Sequence, residues 1–324
     1  MKKVGKILIY VLGAFILVVA GLLTYVKTML PSVGDPPDIN VEFTAERIER
    51  GRYLANHVMV CMDCHSTRDW SLYAGPPIAG TEGKGGEVFD QKLGFPGKYI
   101  SNNITPFYLG DWTDGEIFRA ITTGVSKDGR ALLNIMPYPN YGVLDEDDIK
   151  SVIAYIRTLT PIEHNVERSK SDFPMNFIIN TLPKKREFKH IPAKSDNINY
   201  GKYIVTAAGC MDCHTKQEKG KFVGEPYAGG FEFKFADGTA CYSTNITPHT
   251  SGIGDWDKDF FVEIFKMYAD TSYNPVKVNP GQSQTVMPWS MYANMTTEDL
   301  EAMFAYLKTL KPVNNEVTAF TTAK

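Results

Sequence analysis

Residues 61–65 read Cys-Met-Asp-Cys-His, and the same five residues return in the same order at 210–214. The sequence around them returns as well, with offsets of 142 to 151 residues between the copies. The matching segments are 51–54 with 201–204, 103–106 (Asn-Ile-Thr-Pro) with 245–248, 110–112 (Gly-Asp-Trp) with 254–256, and Met136-Pro137 with Met287-Pro288. Solenoid repeats have periods of about 20–50 residues, so a period this long indicates duplicated domains.

The cysteine pairs carry a specific chemistry, because a histidine directly follows each of them. Cys-x-x-Cys alone fits a redox dithiol, half of a zinc site or haem attachment. In haem attachment the two thiols bind the vinyl edges, and the next residue lies beneath the iron as its proximal ligand. We therefore predict two covalently bound haem c groups, with His65 and His214 as iron ligands. The thiols that would attach them are Cys61, Cys64, Cys210 and Cys213. The fifth cysteine, Cys241, is expected to be a buried small side chain.

A methionine follows each motif at nearly the same distance and is the predicted second axial ligand. Met136 lies 72 residues after Cys64, and Met287 lies 74 residues after Cys213. A proline follows each methionine and fixes the local backbone. A thioether in that position leaves no site for oxygen or peroxide, which favours an electron carrier over an oxygen-activating enzyme. Other side chains that could serve instead are Met59, Met175, Met291, Met295, His57 and His249.

The helical periodicity supports a mainly α-helical protein. Apolar residues at 149, 152, 153 and 156 follow the predicted N-cap Asp145 at the spacing of one buried helix face. The second copy repeats this pattern at 300, 303, 304 and 307, after the capping residue Thr296. A further helix is predicted to begin at Thr113, with Glu116 three residues on. Strand patterns are scarce, so the predicted fold class is all-α.

The amino-terminal segment has the composition of a membrane span. Three lysines precede the uncharged residues 7–26, and Lys27 follows them. Twenty residues at a rise of about 1.5 Å match the hydrocarbon core of a bilayer. The alternative is a cleaved signal peptide, which has a shorter apolar region and a small-residue cleavage site. The short lysine-bearing end is expected to stay in the cytoplasm, which would send the rest to the outer, periplasmic side.

Charge and composition limit the partners. Residues 28–324 hold 30 basic and 37 acidic side chains, so the sequence predicts no nucleic-acid binding, which needs clustered Lys and Arg.

The predicted organisation is an anchor over 1–27, a spacer over 28–41, a first domain over 42–163, a linker over 164–198, and a second domain with a C-terminal tail over 199–324. We call the two domains unit 1 and unit 2.

Each unit resembles a class I cytochrome c domain. Asn-Ile-Thr-Pro, Asp-Trp, the stretch from Arg119 to Met136 and Phe-Pro-Met-Asn at 173–176 resemble the cytochrome c subunits of membrane-bound alcohol and gluconate-type dehydrogenases. This implies a tandem duplication of two class I cytochrome c domains behind one N-terminal transmembrane helix. It also implies electron transfer between a respiratory donor, such as a dehydrogenase or a quinol-oxidising complex, and a soluble cytochrome or terminal oxidase.

The sequence departs from the family's pattern in two respects, and two alternative functions remain beside the one that the resemblance implies. That family usually carries three haem domains, whereas two motifs occur here. Unit 2 also has seven more residues between Trp256 and Met287 than unit 1 has between Trp112 and Met136, and it lacks a counterpart to Arg119, which could pair with a haem propionate. The alternatives are the dihaem subunit of a cytochrome oxidase and a dihaem peroxidase. The peroxidase would need one displaceable iron ligand.

Overall fold

The computed structural model describes residues 2–269 and 273–322. Residue 1 of the predicted anchor and residues 270–272 and 323–324 of unit 2 lie outside the described residues. Helix α1 spans Lys2–Thr28, and its most apolar 18-residue window has a mean hydropathy of 2.7, with none of that window buried in the protein. The hydroxyls of Thr24 and Thr28 donate to carbonyls one turn back, at 2.8 Å each. This helix is long and apolar enough to cross a membrane.

Short elements make up the rest of the chain. Unit 1 contains helices α2 (Ala45–Tyr53), α3 (Cys61–Cys64), α4 (Pro106–Leu109), α5 (Asp114–Thr123), α6 (Tyr138–Tyr141) and α7 (Glu146–Arg157), and strands β1 (Val88–Phe89) and β2 (Gly97–Ile100). The linker contains β3 (Lys170–Ser171), α8 (Met175–Ile178) and a 3-10 turn (Ile179–Thr181). Unit 2 contains α9 (Asn197–Ala207), α10 (Cys210–Cys213), α11 (Lys258–Lys266), α12 (Trp289–Tyr292) and α13 (Thr297–Leu307), and strands β4 (Gln217–Glu218), β5 (Lys221–Phe222), β6 (Glu232–Lys234), β7 (Ala240–Tyr242) and β8 (Phe320–Thr321).

Three small antiparallel sheets among the described residues make the predicted all-α class too narrow. Their strand orders are β1-β2-β3, β4-β5 and β6-β7-β8. Each strand has only two to four residues, so no alternating pattern is long enough to read from the sequence. The linker strand β3 and the C-terminal strand β8 complete sheets that begin inside the two units.

The predicted helix starts are confirmed by their caps. The side chain of Asp145 accepts from the backbone N–H of Asp147 at the start of α7. Thr296 accepts from Asp299 at the start of α13 in the same manner. Thr113 and Glu116 form a reciprocal capping box at the start of α5. These bonds satisfy backbone donors that the first helical turn leaves free.

The opening and closing helices of each unit cross in direct backbone contact at a glycine. A Cβ placed on Gly51 of α2 would lie 1.7 Å from the carbonyl oxygen of Ser151 in α7. A Cβ on Gly201 of α9 would lie 1.9 Å from the carbonyl oxygen of Ala302 in α13. No side chain fits at either crossing, which explains why the repeated segments 51–54 and 201–204 both begin with glycine.

The two units contact each other through matched tyrosines. Tyr203 of α9 donates its hydroxyl to Asp148 of α7 at 2.6 Å and accepts from the backbone N–H of Asp145 at 3.1 Å. Tyr53 of α2 reaches Asp299 and the start of α13 in the corresponding way. One hydrophobic core, with residues from both units, continues across this interface.

Candidate haem-binding sites

Both motifs fold as a single helical turn entered from a left-handed residue. Val60 (φ 45°) precedes α3 and Gly209 (φ 67°) precedes α10. The histidine N–H closes each turn onto the first cysteine carbonyl, at 3.0 Å for His65 and 2.9 Å for His214. Cysteines three residues apart lie on one face of a helical turn, so both thiols of a pair can bond to the same haem, one to each vinyl group. Val60 is β-branched and rarely adopts a positive φ, so this backbone is held in place by its surroundings.

The histidine side chains are set up as neutral metal ligands. Nδ1 of His65 lies 2.7 Å from the carbonyl oxygen of Asn102, and Nδ1 of His214 lies 2.7 Å from that of Thr244. A carbonyl can only accept, so each Nδ1 carries the proton and each Nε2 keeps a free lone pair. Burial also lowers the pKa of both imidazoles, which favours the neutral form. This second hydrogen bond is the usual support of a ligating histidine.

The thiols of the first motif are protonated in the free protein. Burial raises the pKa of Cys61 and of Cys64 to about 12. Within the described residues, no three His, Cys, Asp or Glu side chains group as a metal site. Cys241 is buried on β7, which confirms the expectation for that residue.

The predicted methionine ligands lie on matched loops fastened to the motifs. Met136 and Met287 are partly buried and pack against the core that Cys61 and Cys210 also contact. Each lies just before a short helix, α6 or α12, whose tyrosine bonds back towards the motif. Tyr141 donates to the carbonyl of Met59 at 3.0 Å, and Tyr292 donates to that of Ala208 at 2.7 Å. The accepting residues both stand two positions before the first cysteine.

Tyr141 and Tyr292 were not identified from the sequence. Their offset of 151 residues equals that of the methionine pair, so an alignment of the repeats was the signal that could have found them.

The side chains that could serve as alternative ligands lie at several places in the fold. Met59, Met291 and Met295 are buried in the core. Met175 packs in a separate cluster with Tyr99, Ala131, Leu133 and Ile179. Nδ1 of His57 lies 3.1 Å from the carbonyl of Met291, and that of His249 bonds within its own turn.

Arg68 of unit 1 contacts the first motif, and Arg119 lies on α5 of the same unit. Arg68 forms a buried ion pair with Asp63 at 3.0 Å and donates to the carbonyls of Ala74 and Gly75. Burial raises the pKa of Asp63 to about 6, although Arg68 opposes the shift. Arg119 donates to the carbonyl of Ser126 at 2.7 Å, and its buried Nε has no acceptor among the described residues. An unsatisfied guanidinium nitrogen fits an anionic group such as a propionate.

The two candidate sites adjoin each other across the interface. Asn140, four residues after Met136, donates its side-chain amide to the carboxylate of Asp212 at 2.7 Å. Asp212 lies between Cys210 and Cys213, inside the second motif. The methionine loop of unit 1 therefore touches the attachment helix of unit 2.

Comparison with known proteins first defines the class. Residues 198–311 match the family model "Cytochrome c". This part of the chain, which holds the second motif, Met287 and helices α9 to α13, is a cytochrome c domain.

A longer span of the chain is homologous to the cytochrome c subunits of dehydrogenases. It is 27% identical over 288 residues to the cytochrome c subunit of the quinone alcohol dehydrogenase of Gluconacetobacter polyoxogenes, covering 82% of this chain and 56% of that one. It is 26% identical over 298 residues to the gluconate 2-dehydrogenase cytochrome c subunit of Pantoea cypripedii (85% and 62%). It is 30% identical over 231 residues to the fructose dehydrogenase cytochrome subunit of Gluconobacter japonicus (66% and 43%).

These comparisons confirm the resemblance drawn from the motifs. The chain spans about half the length of the curated relatives it matches.

Proposed function

We propose that the chain is a membrane-anchored dihaem c-type cytochrome that passes single electrons from a dehydrogenase to a soluble cytochrome or a terminal oxidase. The observation that carries the proposal is the matched pair of imidazoles, His65 and His214, each beside a Cys-x-x-Cys turn. Each has its Nδ1 bonded to a backbone carbonyl at 2.7 Å and its Nε2 free. When bound, each haem iron would supply reversible one-electron oxidation and reduction.

The side chains of the chain would hold and tune that chemistry. Cys61 and Cys64 would attach one haem, and Cys210 and Cys213 the other. Met136 and Met287 would supply thioether sulfur as the second iron ligands, and a thioether ligand raises the reduction potential relative to two histidines. The same methionines would keep oxygen and peroxide from binding, and for this reason we favour an electron carrier over a peroxidase. Arg119 would pair with a propionate in unit 1.

We also propose that units 1 and 2 arose by tandem duplication, with the boundaries 42–163 and 199–324. Four kinds of matched contact support this: the glycine crossings, the histidine–carbonyl bonds, the tyrosine–carbonyl bonds beside the motifs and the tyrosine–aspartate bonds across the interface. The Asn140–Asp212 bond would bring the two haems close enough to exchange electrons within one chain.

Helix α1 would anchor the chain in the cytoplasmic membrane, with both units on the periplasmic side. Its length and its unburied apolar surface support an anchor, and the lysines at its amino-terminal end support the orientation. The relatives are subunits of dehydrogenases, which supports a dehydrogenase as the electron donor.

Stopped-flow spectroscopy tests the proposed function. The purified full chain, mixed with a reductant and then with a high-potential cytochrome, is expected to show both haems reduced and then rapidly reoxidised. Both haems should be low-spin in the native protein. Rapid turnover of peroxide, or a high-spin haem that binds carbon monoxide readily, would contradict the proposal and favour the peroxidase alternative.

A further inference from the structure

We propose that residues 173–189 of the linker form a second membrane contact, in which Phe173 and Ile178 enter the lipid interface and a basic segment faces anionic headgroups. This inference rests on the proposed anchoring of α1. It assigns a role to exposed side chains that neither the haem sites nor the unit interface uses. We call the segment the linker platform.

The platform exposes large apolar side chains that nothing in the described part of the chain covers. Phe173 is 79% exposed and Ile178 is 45% exposed. Phe177 lies beside Phe173, with the two ring centroids 6.3 Å apart. Exposed aromatic and aliphatic side chains on a polar protein mark a surface that contacts another apolar phase or partner.

The platform is fixed to unit 1 by packing and hydrogen bonds. Met175, Ile179 and Leu182 pack against the cluster that contains Tyr99 and Leu133. The backbone N–H of Asn176 donates to the backbone carbonyl of Asp172 at 2.8 Å. The side-chain carboxylate of Asp172 accepts from the side-chain amide of Gln91, also at 2.8 Å. Strand β3 pairs with β2 just before the platform begins. The apolar side chains are therefore displayed on a fixed support and not on a loose loop.

The platform lies beside the outer end of the proposed membrane helix. Helix α1 contacts α8 and the 3-10 turn of the platform. Nζ of Lys27, in the last turn of α1, lies 5.1 Å from the centre of the Phe177 ring. A lysine at the end of a span marks the level of the headgroups, so Phe173 and Ile178 lie close to that level. This continuity with the span identifies lipid as the occupant of the exposed surface.

The charge that follows the apolar residues fits the same partner. Lys184, Lys185, Arg186 and Lys189 are all exposed, with Glu187 as the one acid among them. This contrasts with the acidic balance of residues 28–324. Exposed basic residues near a bilayer surface are attracted to anionic lipids, and an apolar face with basic neighbours is typical of segments that lie in the interface.

Spin labels on the full haem-loaded chain, reconstituted into nanodiscs of phosphatidylcholine and phosphatidylglycerol, test the proposal. Three single variants are labelled: Phe173→Cys, Val18→Cys within α1, and Phe222→Cys on β5 as the water-exposed control, since Phe222 is 49% exposed. Collision with oxygen is compared with collision with a water-soluble nickel chelate. We expect the label at 173 to meet the chelate several-fold less often than the label at 222.

The possible results distinguish the platform proposal from the proposal that α1 anchors the chain in a membrane. If the label at 18 lies in lipid but the label at 173 is as accessible as the one at 222, the platform proposal is wrong and the anchor stands. The chain alone would also give this result if a partner protein, and not lipid, covers the platform. If the label at 18 is itself in water, both proposals fail. Replacing Lys184, Lys185 and Arg186 by Gln is expected to raise chelate access at 173 in these anionic nanodiscs but not in nanodiscs of phosphatidylcholine alone. The headgroup contact would be overturned if the label at 173 were equally accessible with and without the three replacements.

Discussion

The hydroxyl of Tyr53 in unit 1 donates to the carboxylate of Asp299 in unit 2 at 2.5 Å, and it accepts from the backbone N–H of Thr296 at 3.1 Å. One side chain thus bonds to the first turn of the closing helix of the other unit. Asp299 is 1% exposed and has Tyr200 as a second donor at 2.8 Å. Because Tyr203 makes the reciprocal contact, the interface joins the units by two equivalent tyrosine bridges.

Replacing the interface tyrosine is expected to destabilise the protein. Tyr53→Phe removes a donor to a buried carboxylate and the acceptor of a helix N–H, which costs about 1–3 kcal/mol of unfolding free energy. Thermal or urea unfolding of the haem-loaded chain in detergent measures the change. Tyr242→Phe is the matched control, since its partner Glu232 lies in an exposed contact at 3.0 Å. A loss no larger than that of the control would show that the bridge does not contribute to stability.

The glycine crossings allow almost no replacement. Gly201→Ala forces a methyl group against a backbone carbonyl and is expected to cost about 1–3 kcal/mol or more, as overpacking does. Lys202→Ala, at the exposed neighbouring position of α9, is the control and should change stability by less than about 0.5 kcal/mol. Equal melting temperatures for the two variants would argue against direct contact between α9 and α13.

The axial methionines can be tested separately. Met136→Ala and Met287→Ala are each expected to remove about half of the weak sulfur-to-iron band at the red end of the ferric spectrum, because each variant loses one of two thioether ligands. Each should also lower the potential of one haem in a redox titration. Met59→Leu is a control that changes a buried core methionine outside the proposed ligand set. A variant with an unchanged spectrum and potential would refute that ligand assignment.

The tyrosines beside the motifs have a role that can be separated from folding in general. Tyr141→Phe and Tyr292→Phe remove the bonds that fasten each methionine loop to the residue two positions before the first cysteine. We expect the sulfur-to-iron band of the affected haem to disappear at a lower temperature than the helical circular dichroism. Simultaneous loss of both signals at the wild-type temperature would mean that the loop is held by packing alone.

The features that depend on local spacing could be predicted from the sequence. The Cys-x-x-Cys-His turns, the capped helices after Asp145 and Thr296, and the apolar helix α1 all follow from residues close together in the chain. The strands were missed because they are only two to four residues long and are completed by the linker and the C-terminal segment. The tyrosine bridges were missed because their partners lie 246 and 55 residues away, and hydrogen bonding across a fold leaves no local pattern.

The central claim is that each unit binds one covalent haem, and the intact mass of the purified chain after acid–acetone extraction tests it most directly. The account predicts a mass equal to the polypeptide plus two haems, and a loss of one haem when Cys61 and Cys64, or Cys210 and Cys213, are replaced together by Ala. A native chain that carries one haem, or none, would contradict it.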